Sequence, residues 1–195
     1  ALQNHLGVLL LFQGDHGSAK TLLERAARAD EKNFGRNHPE TTTRYSNLAL
    51  VLRDLGQYQV AKTIFEKAAR DDEKNLGKNH WHTGVRYHNL GLVLNDMGDY
   101  AGAKKALEKA LRIEHWNERA GIRFFTGSTT ILGMVLKALG KFRAARAMRE
   151  KAVKNEEIKD GVDHPETMGS YNNLALILGE LGEYEKERAL FEKVL

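Results

Sequence analysis

The chain has 195 residues, of which 42% are apolar, so it is long enough and apolar enough to form one or two ordinary domains. Thirty basic and 26 acidic residues give a net charge of +4, and both signs are spread along the chain. Because there is no cysteine, disulfide scaffolds and thiolate metal sites are excluded. The sequence shows neither an apolar run of about 18 residues nor a basic-then-apolar leader, so we expect a cytoplasmic protein with no membrane association.

The sequence repeats itself with a period of 42 residues, which is the signature of a stacked helical array. A glycine row, a leucine row and a row of small residues all keep this spacing. The rows are Gly14, Gly56, Gly98, Gly140 and Gly182; Leu6, Leu48, Leu90, Leu132 and Leu174; and Gly7, Ala49, Gly91, Gly133 and Ala175. Rows that continue without a slip favour a single array and no internal domain boundary.

Each period predicts a hairpin of two helices. Two apolar stripes with three- and four-residue spacing predict the helices, and Gly56 lies between them, where a glycine can end the first. In the second period the stripes are Tyr45, Leu48, Ala49 and Leu52, followed by Ala61, Phe65 and Ala68. Because one hairpin cannot bury both stripes, neighbouring hairpins are expected to stack.

In chain order, the predicted repeats span residues 1–38, 39–80, 81–122, 123–164 and 165–195. The first begins inside its first helix, because Ala1 aligns with Thr43, and the last ends at Leu195, inside its second helix. The second and fifth open on an HPE motif, where Pro39 and Pro165 are tolerated in a first helical turn. We therefore expect about four and a half repeats that are an excerpt of a longer protein.

The apolar stripes resemble the tetratricopeptide pattern of an aromatic residue, Leu, Gly or Ala, a large residue, Ala, an aromatic residue and Ala. The third repeat has this order with Leu107 at the second aromatic position. The 42-residue length and the NNLALIL core at 172–178 resemble the longer-helix branch typified by kinesin light chain. The resemblance implies an all-α fold, a right-handed α-α superhelix (solenoid) of antiparallel helix hairpins. HEAT or armadillo stacking is the alternative, although those families lack the Ala/Phe/Ala pattern of the second helix.

Three rows lie on the face of the first helices that the apolar stripes leave free. The resemblance implies that this face lines the inner groove of the superhelix. The rows are His5, Asn47, Asn89, Ile131 and Asn173; Asn4, Ser46, His88, Thr130 and Asn172; and Leu11, Arg53, Asn95, Lys137 and Gly179. We predict peptide binding by their asparagine, histidine, serine and basic members.

Asparagine suits the backbone of a bound peptide because it offers a donor and an acceptor while remaining neutral. Helices pack about 8–10 Å apart and an extended chain advances about 3.3 Å per residue, so one asparagine per layer would meet every third peptide residue. We interpret Asn47, Asn89 and Asn173 in this way, and the resemblance implies the same, because asparagines at this position contact peptides in the resembled families. The alternative is that they hydrogen-bond a neighbouring first helix and fix the stacking register.

Basic residues on or near the same face favour an acidic ligand. Arg53 and Lys137, with Arg44 and Arg86 near the helix starts, are placed to receive acidic side chains. The alternative for each of them is a solvated position without a ligand.

The fourth repeat departs from the pattern, with Thr129 where tyrosine is expected and Ile131 where asparagine is expected. Its Phe124 and Phe125 allow two interpretations. Either they fill the core of a drifted repeat, or they form an apolar pocket for a hydrophobic anchor of the partner.

No group of residues in the sequence predicts catalysis, so we expect neither an enzyme nor a cofactor. His80 and His82 have a His-x-His spacing, but residues two apart lie on different faces of a helix, and we predict no metal site. His38, His80 and His164 recur in the connectors, where a capping or packing role explains them.

The sequence therefore predicts a protein–protein interaction module that binds a peptide, with acidic ligands favoured. The alternative is an architectural or sensor arm of a larger signalling ATPase or motor-associated protein, which self-associates end to end through its repeats. Nucleic-acid binding is a third class. It would show a basic stripe with interleaved aromatic residues, which this sequence lacks, so we predict no nucleic-acid partner.

Overall fold

A computed structural model describes residues 2–122 and 127–194, and these residues form helices joined by short turns. The chain packs as two compact units, Ala1–Thr126 (unit 1) and Gly127–Leu195 (unit 2). The helices of unit 1 are α1 (Leu2–Phe12), α2 (His16–Phe34), α3 (Pro39–Asp54), α4 (Tyr58–Asn75), α5 (Trp81–Asp96) and α6 (Tyr100–Arg119). Those of unit 2 are α7 (Ser128–Ala138), α8 (Phe142–Lys159), α9 (Pro165–Glu180) and α10 (Tyr184–Val194).

Consecutive helices pack against each other within each unit. In unit 1 the hairpins are α1 with α2, α3 with α4, and α5 with α6, while α2 also packs on α3 and α4 on α5. In unit 2 the hairpins are α7 with α8 and α9 with α10, and α8 packs on α9. The predicted all-α fold of stacked helix hairpins is confirmed. The single array spanning residues 1–195 stays a prediction.

Histidines cap three of the first helices. The Nδ1 atoms of His38, His80 and His164 accept hydrogen bonds from the backbone N–H two residues further on, at 3.2, 3.2 and 3.3 Å. Pro39 and Pro165 follow two of these caps in the first turn, where their missing N–H has no helical partner to lose. These contacts confirm the predicted capping role.

A left-handed glycine ends the first helix of the second hairpin. Gly56 has a φ of 74°, which an L side chain would strain. Its N–H donates to the carbonyl of Arg53 at 2.9 Å, and the Gln57 N–H donates to the carbonyl of Leu52 at 2.8 Å. The last carbonyls of α3 are thus paired, and the chain turns directly into α4.

Small residues on the first helices face large residues on the second. A Cβ added at Gly91 would lie 2.6 Å from the Cγ of Leu107, which is fully buried. One repeat earlier, the same two rows hold Ala49 and Phe65, both fully buried. The row of small residues therefore sets how closely the two helices of a hairpin approach.

A buried ion pair joins neighbouring hairpins in unit 1. The Nε of Arg86 lies 3.0 Å from the Oδ2 of Asp72, and the two side chains are only 7% and 1% exposed. The Nη2 of Arg86 also donates to the Oγ1 of Thr43 at 3.0 Å. One repeat earlier, Arg44 and Asp30 pair at 2.9 Å but remain 16% exposed each.

A second tie links three helices through a tyrosine. The hydroxyl of Tyr87 on α5 donates to Glu73 on α4 at 2.8 Å. The Nζ of Lys109 on α6 donates to the same carboxylate at 2.7 Å and to the tyrosine oxygen at 2.6 Å. Unit 2 contains the same arrangement in Tyr171, Glu157 and Lys193. Each tie joins the end of one hairpin to both helices of the next.

Candidate functional site

The predicted binding residues lie on the first helices of the hairpins, on the face defined by the three rows above. We call this the polar face. In unit 1 it is carried by α1, α3 and α5, and in unit 2 by α7 and α9. Its residues differ in their surroundings. Some of them bond other residues of the protein, and others keep polar atoms that could bind another molecule.

Asn47 and Asn4 hydrogen-bond each other. The Nδ2 of Asn47 on α3 donates to the Oδ1 of Asn4 on α1 at 3.0 Å. Asn4 is only 5% exposed, and Asn47 is partly buried. This contact between neighbouring first helices is the register role that the sequence left open as the alternative. For these two residues the structure favours that alternative.

Asn89 and Asn173 have a different environment. Asn89 is partly buried, and its side chain makes no hydrogen bond to any residue that the structure describes. Asn173 is exposed, and its Nδ2 donates to the carbonyl of Gly169 in its own helix at 2.8 Å. Its Oδ1 accepts nothing within the described residues. The neighbouring Asn172 is also exposed. These amides keep donor or acceptor capacity for another molecule.

The remaining polar residues of this face in unit 1 differ in exposure and in hydrogen bonding. His5 is exposed and Asn95 is partly buried. Ser46 is buried, and its Oγ donates to the carbonyl of Thr42 at 2.8 Å, so its hydroxyl is used within α3. Burial lowers the pKa of His88 to about 4, with nearby Arg53 as the smaller cause, so at neutral pH His88 is an uncharged side chain.

Most of the predicted basic residues are paired inside the protein. Arg53 lies 3.0 Å from Asp96 on the next first helix. Arg44 pairs with Asp30 and Glu40, and Arg86 is buried against Asp72. The structure therefore does not support the expectation that Arg44 and Arg86 receive acidic ligand groups, because their guanidinium groups hold hairpins together.

Lys137 lies instead in an open cleft of unit 2, of about 450 Å³, between α7, α8 and α9. Two predicted residues, Lys137 and Asn173, line it. The other lining residues are Met134, Ala138, Phe142, Arg149, Ile177 and Glu180. Met134 is 47% exposed. The structure thus brings a predicted amide and a predicted cation together beside an accessible apolar surface.

Arg149 is the lining residue that the sequence interpretation missed. It is only 2% exposed and occupies the row that holds Leu23, Phe65 and Leu107 in the first three repeats. The signal was available in the 42-residue period, as a charged residue in an apolar row. Thr129 and Ile131 are partly buried, whereas Phe124 and Phe125 lie outside the described residues.

Among the residues that the structure describes, one group of side chains has the residue types of a metal site. Asp160, His164 and Glu166 place one potential ligand atom each within 4.8 Å of one another. The Nδ1 of His164 already accepts the backbone N–H of Glu166, and Asp160 lies 3.0 Å from Lys159. At the earlier His-x-His pair, the Nδ1 of His80 accepts the His82 N–H. His164 and Glu166 thus belong to the start of α9, Asp160 follows the end of α8, and His80 and His82 belong to the start of α5.

None of the described helices is long and apolar enough to cross a membrane. The fold and the polar face together define a class of protein, the helical-repeat binding scaffold.

The family model described as tetratricopeptide repeat matches residues 1–74, 43–113 and 126–195. The chain belongs to the tetratricopeptide repeat family. This match sets aside HEAT or armadillo stacking, and it confirms the solenoid class. Tetratricopeptide repeats are non-enzymatic scaffold folds that bind protein partners.

Solved structures share this fold over nearly the whole chain. One is the structure from Podosopora anserina described as "kinesin light chain nearly identical TPR-like repeats". It is 22% identical to this chain, the match covers 98% of this chain and 91% of that chain, and the TM-score is 0.80. BtubC (BKLC) from P. vanneervenii is 18% identical, with 97% and 75% covered and a TM-score of 0.81. MamA from Desulfovibrio magneticus RS-1 is 20% identical, with 99% and 91% covered and a TM-score of 0.70.

At these identities the likeness shows the fold alone. The prediction of kinesin-light-chain-like repeats is confirmed. No curated protein matches the sequence.

Proposed function

We propose that the chain binds a peptide segment of a partner protein along its polar face, with the cleft of unit 2 as the main point of attachment. The observation that carries this proposal is the shared position of Asn173 and Lys137 at a cleft with an exposed apolar side chain, Met134. A peptide needs partners for its backbone, an apolar contact area and a favourable charge, and this cleft offers all three.

The amides divide into two groups within this proposal. Asn4 and Asn47 use each other and hold α1 against α3. Asn89 and Asn173 keep hydrogen-bonding atoms to offer, so they are the proposed readers of the peptide backbone. Leu176 lies next to this row on α9 and is 42% exposed, which adds apolar surface beside Asn173.

The test is the double variant Asn89→Ala with Asn173→Ala, screened against immobilised random peptides of about 12 residues. Each lost amide removes hydrogen bonds worth about 1 kcal/mol net, so retention of bound peptides should fall by roughly 10- to 30-fold. Helicity and the melting temperature should stay within the range of the unchanged protein, because neither side chain bonds another helix in the described residues.

Matched controls are available for this test. Asn33→Ala with Asn155→Ala removes two exposed asparagines from second helices and should leave peptide retention unchanged. Asn47→Ala should instead lower stability by about 1–2 kcal/mol, because it leaves the buried oxygen of Asn4 without its donor. Unfolding of the Asn89/Asn173 double variant would assign those amides to the fold and would overturn the proposal.

An apolar patch on α1 favours a second function, self-association. Leu2, Leu9 and Phe12 are 82%, 58% and 84% exposed. The row of Leu9 is fully buried at Val51 and Val93, on helices α3 and α5. Within this second proposal, a second copy of the chain covers the patch on α1.

Sedimentation velocity over about 1–100 µM is the measurement for self-association. Leu9→Glu with Phe12→Glu should shift the protein to monomer, because it places two charges in the proposed contact. Val60→Glu with Ile158→Glu adds the same charge at two exposed apolar positions elsewhere and should change nothing. A protein that is monomeric at every concentration would remove this second candidate.

A further inference from the structure

The exposed faces of the second helices in unit 1 carry a row of arginines that follows the 42-residue period. Four residues after each arginine, and therefore on the same face of its helix, is a second exposed residue, which is lysine twice and tryptophan once. We call these six residues the basic band. They are Arg28 and Lys32 on α2, Arg70 and Lys74 on α4, and Arg112 and Trp116 on α6.

Side-chain contacts beside the band join neighbouring second helices. The Nζ of Lys109 on α6 donates to Glu73 on α4 at 2.7 Å. Each of these two residues lies one helical turn from the band arginine of its own helix. The Nζ of Lys67 on α4 donates to the side chain of Asn37, in the connector after α2, at 2.6 Å. The band therefore continues from helix to helix across unit 1.

Carboxylates close to the band are bonded to other residues of the protein. Every carboxylate that follows the band arginine in α2 and in α4 lies within ion-pair distance of an arginine or lysine outside the band. The pairs are Asp30 with Arg44, Glu31 with Arg36, Asp71 with Lys67, Asp72 with Arg86 and Glu73 with Lys109. The basic side chains of the band make no hydrogen bond or ion pair with any residue that the structure describes. The band is therefore a positive surface without compensating charges.

The fold gives a reason for the two lysines of the band but none for its arginines. Lys32 and Lys74 lie in the last turns of α2 and α4, where a positive charge favours the negative end of the helix dipole. The arginine row lies one turn earlier, and the dipole effect falls off within the last turn. Exposed arginines without a partner add little to stability, so these guanidinium groups keep their donors for another molecule.

We propose that the basic band binds single-stranded nucleic acid, with phosphate groups on its basic side chains and a base stacked on Trp116. The band lies on second helices and the polar face on first helices, so this function is separate from the proposed binding of a peptide. The sequence-based prediction of no nucleic-acid partner depended on the absence of a basic stripe with aromatic residues. Because the members of this stripe are 42 residues apart, they come together only in the folded chain.

The exposed indole favours nucleic acid over an acidic protein segment. Trp116 is 52% exposed, and Arg112 is its neighbour one turn earlier on α6. An unpaired base of any type stacks on such a ring, while the adjacent guanidinium binds its phosphate. Acidic side chains would use the guanidinium groups alone.

Carboxylates at the edge of the band favour a strand over a membrane surface. Glu24, Glu66 and Glu108 precede the three arginines by four residues, so they lie on the same helix faces. The side chains of Glu66 and Glu108 are 38% and 39% exposed. A planar anionic membrane would meet these carboxylates together with the arginines, whereas a strand that follows the band passes beside them.

Fluorescence anisotropy of a labelled thymidine oligonucleotide of about 20 nucleotides, titrated with the full chain, measures the binding. About five phosphate contacts on a single strand predict a slope of about −3.5 for the logarithm of the affinity against the logarithm of the salt concentration. The combined variant Arg28→Gln, Arg70→Gln and Arg112→Gln should bring the slope to about −1.4 and weaken binding roughly 10- to 100-fold at about 100 mM salt.

A control with the same change of charge is available on the same helices. Lys20, Lys62 and Lys104 precede the arginines by about 12 Å along each helix, which exceeds the screening length of about 10 Å at this salt concentration. Their combined replacement by glutamine should change the affinity by less than about 3-fold. The arginine variant should keep its helicity and melting temperature. If it unfolds, Lys32→Gln with Lys74→Gln replaces it and should make the slope less steep by about 1.4.

Tryptophan fluorescence provides the second measurement, because the chain has only two tryptophans. Trp81→Phe leaves Trp116 as the only one, and its emission should be quenched when the oligonucleotide binds. Trp116→Ala should weaken binding by about 5- to 100-fold, which corresponds to the loss of one stacked base. Poly-glutamate should leave the emission of Trp116 unchanged.

The inference is overturned if the oligonucleotide does not bind at about 50 mM salt, or if the lysine control weakens binding as much as the arginine variant. Equal affinity for poly-glutamate or for vesicles that contain phosphatidylserine, without quenching of Trp116, would assign the band to an acidic protein or a membrane and would also overturn it. Asn89→Ala with Asn173→Ala should leave oligonucleotide binding unchanged, so the peptide-binding proposal is tested separately.

Discussion

Replacing Arg86 with methionine is expected to lower the free energy of unfolding by about 3–5 kcal/mol. The substitution leaves the carboxylate of Asp72 buried without its partner. One oxygen of that carboxylate already lacks a hydrogen bond in the described residues, so both would then be unpaired. Urea unfolding of the full chain, followed by circular dichroism, measures the change.

The repeat itself supplies the control for this prediction. Arg44→Met removes the equivalent arginine one repeat earlier, where the pair is more exposed, and should cost about 1 kcal/mol or less. Adding Asp72→Leu to Arg86→Met should recover most of the loss, since a buried pair can be exchanged for apolar residues. Equal costs for the two arginine variants would show that burial does not decide the energy of these pairs.

Gly91→Ala is expected to destabilise the protein by about 1–3 kcal/mol, because the new methyl group would overlap the buried side chain of Leu107. The second repeat shows how a methyl group is accommodated, since Ala49 occupies the same row there and Phe65 replaces the leucine. Leu107→Phe in the Gly91→Ala background should therefore restore most of the stability. A double-mutant cycle in urea measures this coupling.

A glycine without close neighbours provides the control for that cycle. Gly169 lies in α9 with no atom within 4 Å of an added Cβ, so Gly169→Ala should stabilise the helix by up to about 1 kcal/mol. Stabilisation by Gly91→Ala as well would mean that helix propensity outweighs packing at the small-residue row. The row would then not set the approach of the two helices.

The fold was predictable from the sequence because each repeat carries the same pattern of apolar, small and turn residues. Gly56 and its row mark where first helices end, and His38 with its equivalents marks where they begin. The pattern of a single hairpin is compatible with several helical folds, but the same pattern repeated at a fixed period is compatible with few folds other than a stacked helical array. The tetratricopeptide pattern then follows from which stripe positions are small and which are large.

The candidate site was predictable only as a face. The period places Asn47, Asn89 and Asn173 in one row, but it does not say which side chains bond each other. Asn47 meets Asn4 because the first repeat has an asparagine one position earlier, and this contact depends on side-chain rotamers. Arg149 could have been predicted only by searching the apolar rows for a charged residue. A side chain that departs from its row in this way cannot be placed by the period alone.

The tyrosine ties have a consequence for recognition. In unit 1, hydrogen bonds among Glu73, Tyr87 and Lys109 join the end of one hairpin to both helices of the next. Neither hairpin can slide past the other without losing a charged contact. The distance between equivalent positions on the polar face of these two hairpins is thereby fixed in the protein without a ligand. Under the proposed function, this fixed spacing would select partners by the spacing of their side chains, and binding would cost little entropy because the hairpins are already held in place.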